Sequence, residues 1–165
     1  MIETRLDKNF KIKGFFDEET STVSYVVYDM TSKKCAVIDS VLDFDFSSGT
    51  IDYHNAEKII SFIEKMKLDL EWLIETHVHA DHLSASPYIQ KKLGGKIGIS
   101  EKISDIQNIF GKTFNAGTEF QKDGSQFDRL FKDNDEYKIG SIKCKVINTP
   151  GPVSYTHLRA HETEA

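Results

Sequence analysis

The sequence has little of what stiffens or cross-links a chain: two cysteines, three prolines and one tryptophan among 165 residues. Two thiols cannot build the disulfide framework of a small secreted domain. Cys35 and Cys144 sit in separate strand-like segments among apolar neighbours, so they read as buried reduced thiols, as in a cytoplasmic protein. Positive charge is also short, with 21 Lys and Arg against 26 Asp and Glu and a formal net charge of −5. No basic run offsets that deficit, which argues against a nucleic-acid partner. No stretch approaches the roughly eighteen apolar residues that span a bilayer, so no membrane partner is expected. Met1 to Lys13 is charged throughout, unlike the apolar core of a signal peptide. A hydrophobic fraction of 39% against 28% charged residues suits one globular domain with one core.

What the sequence does have is concentrated in one place. Residues 76–82 read Thr-His-Val-His-Ala-Asp-His, one residue after the apolar run Trp72-Leu73-Ile74. Imidazole nitrogen and carboxylate oxygen are the ligands that zinc and ferrous iron prefer, and such a cluster is costly to hold without a cation. His77 and His79 are two apart, so in extended geometry both project from the same side of the chain toward one ion. Asp81 and His82 follow where the chain turns toward the next helix, aimed at a neighbouring position. His77, His79, Asp81 and His82 are therefore the candidate metal ligands, with Asp81 also the candidate catalytic residue. The segment cannot close either metal position alone, because a metal usually takes at least three protein ligands. Leu70 to Thr76 is strand-like, so the motif falls where the chain leaves a sheet, the usual ligand site of α/β folds.

The flanking segments alternate in type. Val23–Tyr28 and Lys34–Ile38 read as a strand hairpin across Thr31-Ser32-Lys33. Asp39 ends the second strand, and its residue type suits a simple turn. Asp43 to Tyr53 is polar and reads as a loop; Asn55 then caps a helix whose Ala56, Ile59, Ile60 and Ile63 share one face. His54 beside it reads as a surface residue. Leu83–Leu93 reads as helical up to Gly94-Gly95, Lys96–Ile99 as a strand, and Glu101–Phe110 as a helix followed by a loop over Gly111–Asp123. Phe114, Phe120, Phe127 and Phe131 read as core rather than as the lining of a pocket. Glu136–Asn148 alternates around Gly140 as two antiparallel strands. The sum is a layered α/β arrangement.

The string His77-Val-His79-Ala-Asp81-His82, preceded by Ala36-Val37-Ile38-Asp39 and followed by Thr149-Pro150-Gly151, resembles the metallo-β-lactamase superfamily. Within it, Ile74–Tyr88 and Gly124–Phe131 are most similar to persulfide dioxygenases and the glyoxalase II group, especially their β-lactamase-hydrolase-like relatives. The resemblance implies an αββα sandwich, of which residues 1–151 would be the N-terminal half. It also offers a second reading of Asp39, as a residue that supports the metal ligands from behind. Likeness to the persulfide dioxygenases implies one ferrous iron, with His77 among its ligands, and a small thiol-derived substrate such as glutathione persulfide. Likeness to the glyoxalase II hydrolases implies instead two zinc ions, one on His77 and His79 and one on Asp81 and His82, and hydrolysis of a glutathione thioester.

The end of the chain departs from that pattern. In the family a metal-binding histidine follows Thr-Pro-Gly, whereas here Gly151 is followed by Pro152. From Val153 onward, Val-Ser-Tyr-Thr-His-Leu-Arg-Ala-His-Glu-Thr resembles the translation of a transposase adapter used in sequencing libraries. The expectation is a non-native, loosely packed tail over residues 152–165, in which His157 and His161 are not a zinc pair. It follows that the chain as written would be an inactive fragment of a longer enzyme. A non-catalytic fragment with weak metal binding is the third reading.

Overall fold

The computed structural model describes residues 9–79, 81–115, 117, 119, 121–150 and 156–160. β1 (Phe10–Asp17), β2 (Thr22–Asp29) and β3 (Lys34–Ile38) form an antiparallel meander, as the β-branched and aromatic run at 23–28 predicts for its central strand. Next come the short strands β4 (Val41–Asp45) and β5 (Thr50–Asp52), helix α1 (His54–Lys65), and β6 (Asp69–Ile74). β7 (Leu83–Ser84), α2 (Ser86–Leu93), β8 (Lys96–Ser100), α3 (Ile103–Thr113) and β9 (Arg129–Phe131) follow. β10 (Glu136–Ile139), β11 (Ile142–Pro150) and β12 (Thr156–Ala160) complete the described chain.

The main sheet runs β1-β2-β3-β6-β8-β9, and the pairs β3·β6, β6·β8 and β8·β9 are parallel. Each parallel step needs a crossover, which α1, α2 and α3 supply in turn. One face of this sheet presents Val26, Cys35, Val37, Leu70, Leu73 and Ile97 to the apolar stripe Ala56, Ile59, Ile60, Ile63 of α1 and to Ile89 of α2. The alternate residues Val27, Ala36, Ile74 and Phe131 point the other way, into a second core closed by Tyr137, Ile139, Cys144 and Val146 of the β10–β11 hairpin. The protein is thus a mixed α/β structure with helices, sheet and second sheet in layers, and both cysteines are buried and not joined in a disulfide. Burial pushes the Cys35 thiol up to about 12. Among the described residues no helix is long and apolar enough to cross a membrane.

Several local expectations need correction. The segment from Asp43 to Tyr53 is not a loop: β4 and β5 pair as a hairpin, with Phe44 opposite Ile51. Its polar composition hides the alternation of Leu42 and Phe44 with Asp43 and Asp45. The Asp45 carboxylate accepts from Ser47 N and Ser48 N to shape a turn in which Gly49 takes φ +69°. Asn55 is not the helix cap. Asp43 accepts from Asn55 N at 2.9 Å, and the Asn55 amide bonds Asp17 and Asp43, so the hairpin itself anchors the start of α1. Leu83 and Ser84 pair with β4 before the helix begins. Of the four phenylalanines, Phe131 is core and Phe127 packs beside the first core, but Phe114 is exposed. Phe120 lies outside the described residues.

Within residues 152–165 one short segment is described. Residues 156–160 form β12, antiparallel to β11 with Thr149 opposite His157. An unpaired β11 edge would leave a row of open backbone donors and acceptors, and any strand-competent segment can satisfy them. The rest of residues 152–165, His161 included, lies outside the described residues.

A buried carboxylate fastens the two sheets together away from the histidine motif. Asp29, fully buried at the end of β2, accepts from Thr31 N, Ser32 Oγ, Ser141 N and Ser141 Oγ at 2.6–2.9 Å. Burial alone would raise this carboxyl, but the four hydrogen bonds win and hold it far below the usual range. An Asp29→Asn variant turns an amide toward some of these donors, and it is expected to lose about 3 kcal/mol of stability. Urea unfolding would read this as a lower midpoint at unchanged slope; an unchanged midpoint would contradict it.

Candidate metal centre

β6 stops at Ile74, and the ligand-bearing loop leaves from its C-terminal end, beside the C-terminal end of β3 where Asp39 stands. Asp39 N donates to Ile74 O at 2.9 Å, and Ser24 Oγ donates to Asp39 O at 2.8 Å. These bonds hold Asp39 at φ +50°, a left-handed conformation that a non-glycine residue adopts at some strain and that commonly marks a functional turn. There its carboxylate accepts three hydrogen bonds: Thr76 N at 2.7 Å, Thr76 Oγ1 at 2.6 Å and His79 Nε2 at 3.0 Å.

Those bonds set the orientation of both histidines. The Thr76 hydroxyl proton goes to Asp39, so His77 Nδ1, 2.8 Å from Thr76 Oγ1, must be the donor in that contact. The lone pair that His77 can offer a metal is then on Nε2. His79 donates from Nε2 to Asp39, so its metal-directed nitrogen is Nδ1. The two rings converge, with centroids 4.2 Å apart, as the two-residue spacing predicts. Ligand atoms of Asp39, His77 and His79 all lie within 4.8 Å of one another. With three donors already on its carboxylate, Asp39 suits a support behind the rings better than a direct ligand.

A second group, His79, Asp81 and His82, also brings its ligand atoms within 4.8 Å. Its two members after the loop differ sharply. The His82 side chain is 1% exposed and lies against the His79 ring, tilted to it by 33° with centroids 4.1 Å apart, and neither of its nitrogens makes a hydrogen bond. Asp81 is half exposed, 3.4 Å from His82 Nδ1, and accepts from Thr22 Oγ1 at 3.1 Å. Burial of an imidazole with both nitrogens unsatisfied is costly, and a bound cation is the usual remedy. The donor set therefore fits a metal. His54 is exposed at the start of α1 and belongs to neither group.

Sequence reasoning missed Glu75. It is 4% exposed, its Oε1 accepts from Ser84 Oγ and Ser86 Oγ at 2.5 Å each, and its Oε2 lies 3.3 Å from His79 Nε2. Only its place beside the motif could have drawn attention to it. Burial by itself would lower the His79 imidazole, but the Asp39 hydrogen bond and the nearby Glu75 carboxylate prevail and raise it to about 9. A metal on Nδ1 must displace that proton. Affinity for zinc is accordingly expected to rise about tenfold per pH unit up to about pH 9. Competition titrations with a chelator across that range would measure the slope, and a flat profile would contradict it.

Comparison with known proteins agrees with this geometry. The metallo-beta-lactamase superfamily profile matches residues 17–157. A probable metallo-hydrolase of Burkholderia pseudomallei is 46% identical over 149 residues, 89% of this chain and 51% of that protein. A beta-lactamase hydrolase-like protein of Xylella fastidiosa is 42% identical over 150 residues, 91% of this chain and 35% of that protein. The crystal structure of ETHE1 from Myxococcus xanthus shares the fold with a TM-score of 0.62 at 22% identity, over 90% of this chain and 53% of that one. The chain thus spans about half or less of the length of these curated relatives. A profile match over most of the chain, and histidines converging at the end of a central parallel strand, lead to one conclusion: the chain belongs to the metallo-β-lactamase superfamily.

Proposed function

We propose that this chain carries the metal-binding part of an iron-dependent enzyme that oxidises a small thiol-derived persulfide, such as glutathione persulfide. The observation that carries the choice is the position of Asp81. Its carboxylate is half exposed and bonded to Thr22 Oγ1, which favours one metal at the His77 side over a filled pair. The likeness of residues 74–88 and 124–131 to persulfide dioxygenases supports the same reading. Ferrous iron held there would supply open coordination positions for oxygen and the persulfide sulfur. His77 would hold it through Nε2, Thr76 would fix the His77 ring through Nδ1, and Asp39 would anchor Thr76.

A second reading, a dinuclear zinc hydrolase of a glutathione thioester, is favoured by His82. Its buried, unbonded nitrogens suit a metal at the second position, with Asp81 swinging from Thr22 to complete it. Metal analysis and oxygen uptake on the longest protein the gene encodes separate the two. One equivalent of iron with oxygen consumption on glutathione persulfide is the expected result. Two equivalents of zinc with thioester hydrolysis and no oxygen uptake would overturn the first reading in favour of the second.

A further inference from the structure

We infer that Glu75 is a positioning residue of the metal centre: its carboxylate closes the base of the ligand loop and joins Asp39 in fixing the His79 ring. The inference rests on the metal-centre reading above. Glu75 follows β6 directly, and its backbone N donates to Gly98 O at 2.9 Å, so its own position is set by the neighbouring strand β8. Its Oε1 takes the hydroxyl protons of Ser84 and Ser86, on the far side of the loop. His77, His79, Asp81 and His82 all lie in the span that these two bonds close. Ser86 Oγ in turn lies 3.1 Å from Ser40 Oγ, and Ala85 N donates to Ser40 O at 2.9 Å, so the closure reaches the residue after Asp39.

The second oxygen decides the assignment. Holding two serines needs only an acceptor oxygen, which a neutral glutamine also has, whereas burying an anion is costly. Oε2 accepts no hydrogen bond and stands 3.3 Å from His79 Nε2, whose other neighbour is Asp39 Oδ1 at 3.0 Å. One ring N–H is therefore bonded to Asp39 and also faces the negative charge of Glu75, the two carboxylates coming from adjacent strand ends. That arrangement restricts rotation of the ring and keeps Nδ1 directed at the metal position.

The test compares the wild-type chain with Glu75→Gln and with a Ser84→Ala/Ser86→Ala pair, using zinc or cobalt(II) as the probe. In Glu75→Gln an amide can face the His79 N–H, while Oε1 can still serve the serines. Zinc affinity is expected to fall by about 10- to 100-fold in Glu75→Gln and less in the serine pair, with the circular dichroism spectrum retained. In metal-free protein the downfield His79 Nε2–H proton resonance should exchange faster with solvent in Glu75→Gln, a change that a purely structural anchor would not produce. Should Glu75→Gln fail to fold, the serine pair alone decides: unchanged zinc affinity there overturns the inference. Equal zinc affinity and equal N–H exchange in a folded Glu75→Gln also overturn it. If instead His77→Ala binds zinc as tightly as wild type, the metal-centre reading itself falls and takes this inference with it.

Discussion

Replacing His82 by leucine is expected to stabilise the metal-free protein by about 1–2 kcal/mol while removing its capacity to hold a metal at the second position. The His82 ring is nearly fully enclosed, packs against His79 and leaves both nitrogens without a hydrogen bond. A buried polar group in that state forfeits its bonds to water and gains only the 3.4 Å contact with half-exposed Asp81, so an apolar side chain of similar size relieves the cost. Stability and function then pull in opposite directions at one residue, as they commonly do where a site is built for a ligand. Urea unfolding in the presence of a chelator measures the first effect, and zinc stoichiometry the second. A midpoint that falls on substitution would mean that the ring is satisfied by something other than a metal.

His77→Ala is expected to have the largest effect on metal binding, lowering affinity by about a hundredfold or more. A structural zinc shell of four ligands contributes about 10–16 kcal/mol in all, so one ligand accounts for roughly 3 kcal/mol of that total. His54→Ala is the control, since that side chain is exposed at the start of α1 and should leave affinity unchanged. Elemental analysis after exhaustive dialysis gives the comparison. Metal retained equally by both variants would place the binding site elsewhere.

The parts of this structure that were legible in the sequence are those where one periodic signal dominates. The stripe Ala56, Ile59, Ile60, Ile63 marks its own helix, and the alternation around Gly140 marks the β10–β11 hairpin. The histidine spacing foretold convergence because strand geometry places alternate residues on one side. The misses have a common physical cause, which is that their structure depends on partners distant in sequence. β9 is three residues long and exists because β8 offers it a parallel edge. The β4–β5 hairpin reads as polar because Asp43 and Asp45 serve the start of α1 and a tight turn rather than solvent alone. Glu75 looks like any charged residue at a strand end until Ser84, Ser86 and His79 close around it. Asp39 is ambiguous for the same reason: a turn and a support behind a histidine call for the same residue type, and here it stands at a turn with its carboxylate bonded to His79.

The main sheet is a wall shared by two cores, and this ties events on its far side to the ligands. Ile74 packs into the second core with Tyr137, Ile139 and Cys144, and the next residue in the chain is Glu75. When the β10–β11 hairpin opens, Ile74 loses its packing and the root of the ligand loop is freed with it. Metal affinity should then scale with the fraction of molecules in which the hairpin is closed. A weakened Asp29 anchor, remote in the chain from every ligand, would reduce that fraction, so hydrogen exchange at the hairpin and zinc affinity at the loop should change together in Asp29→Asn.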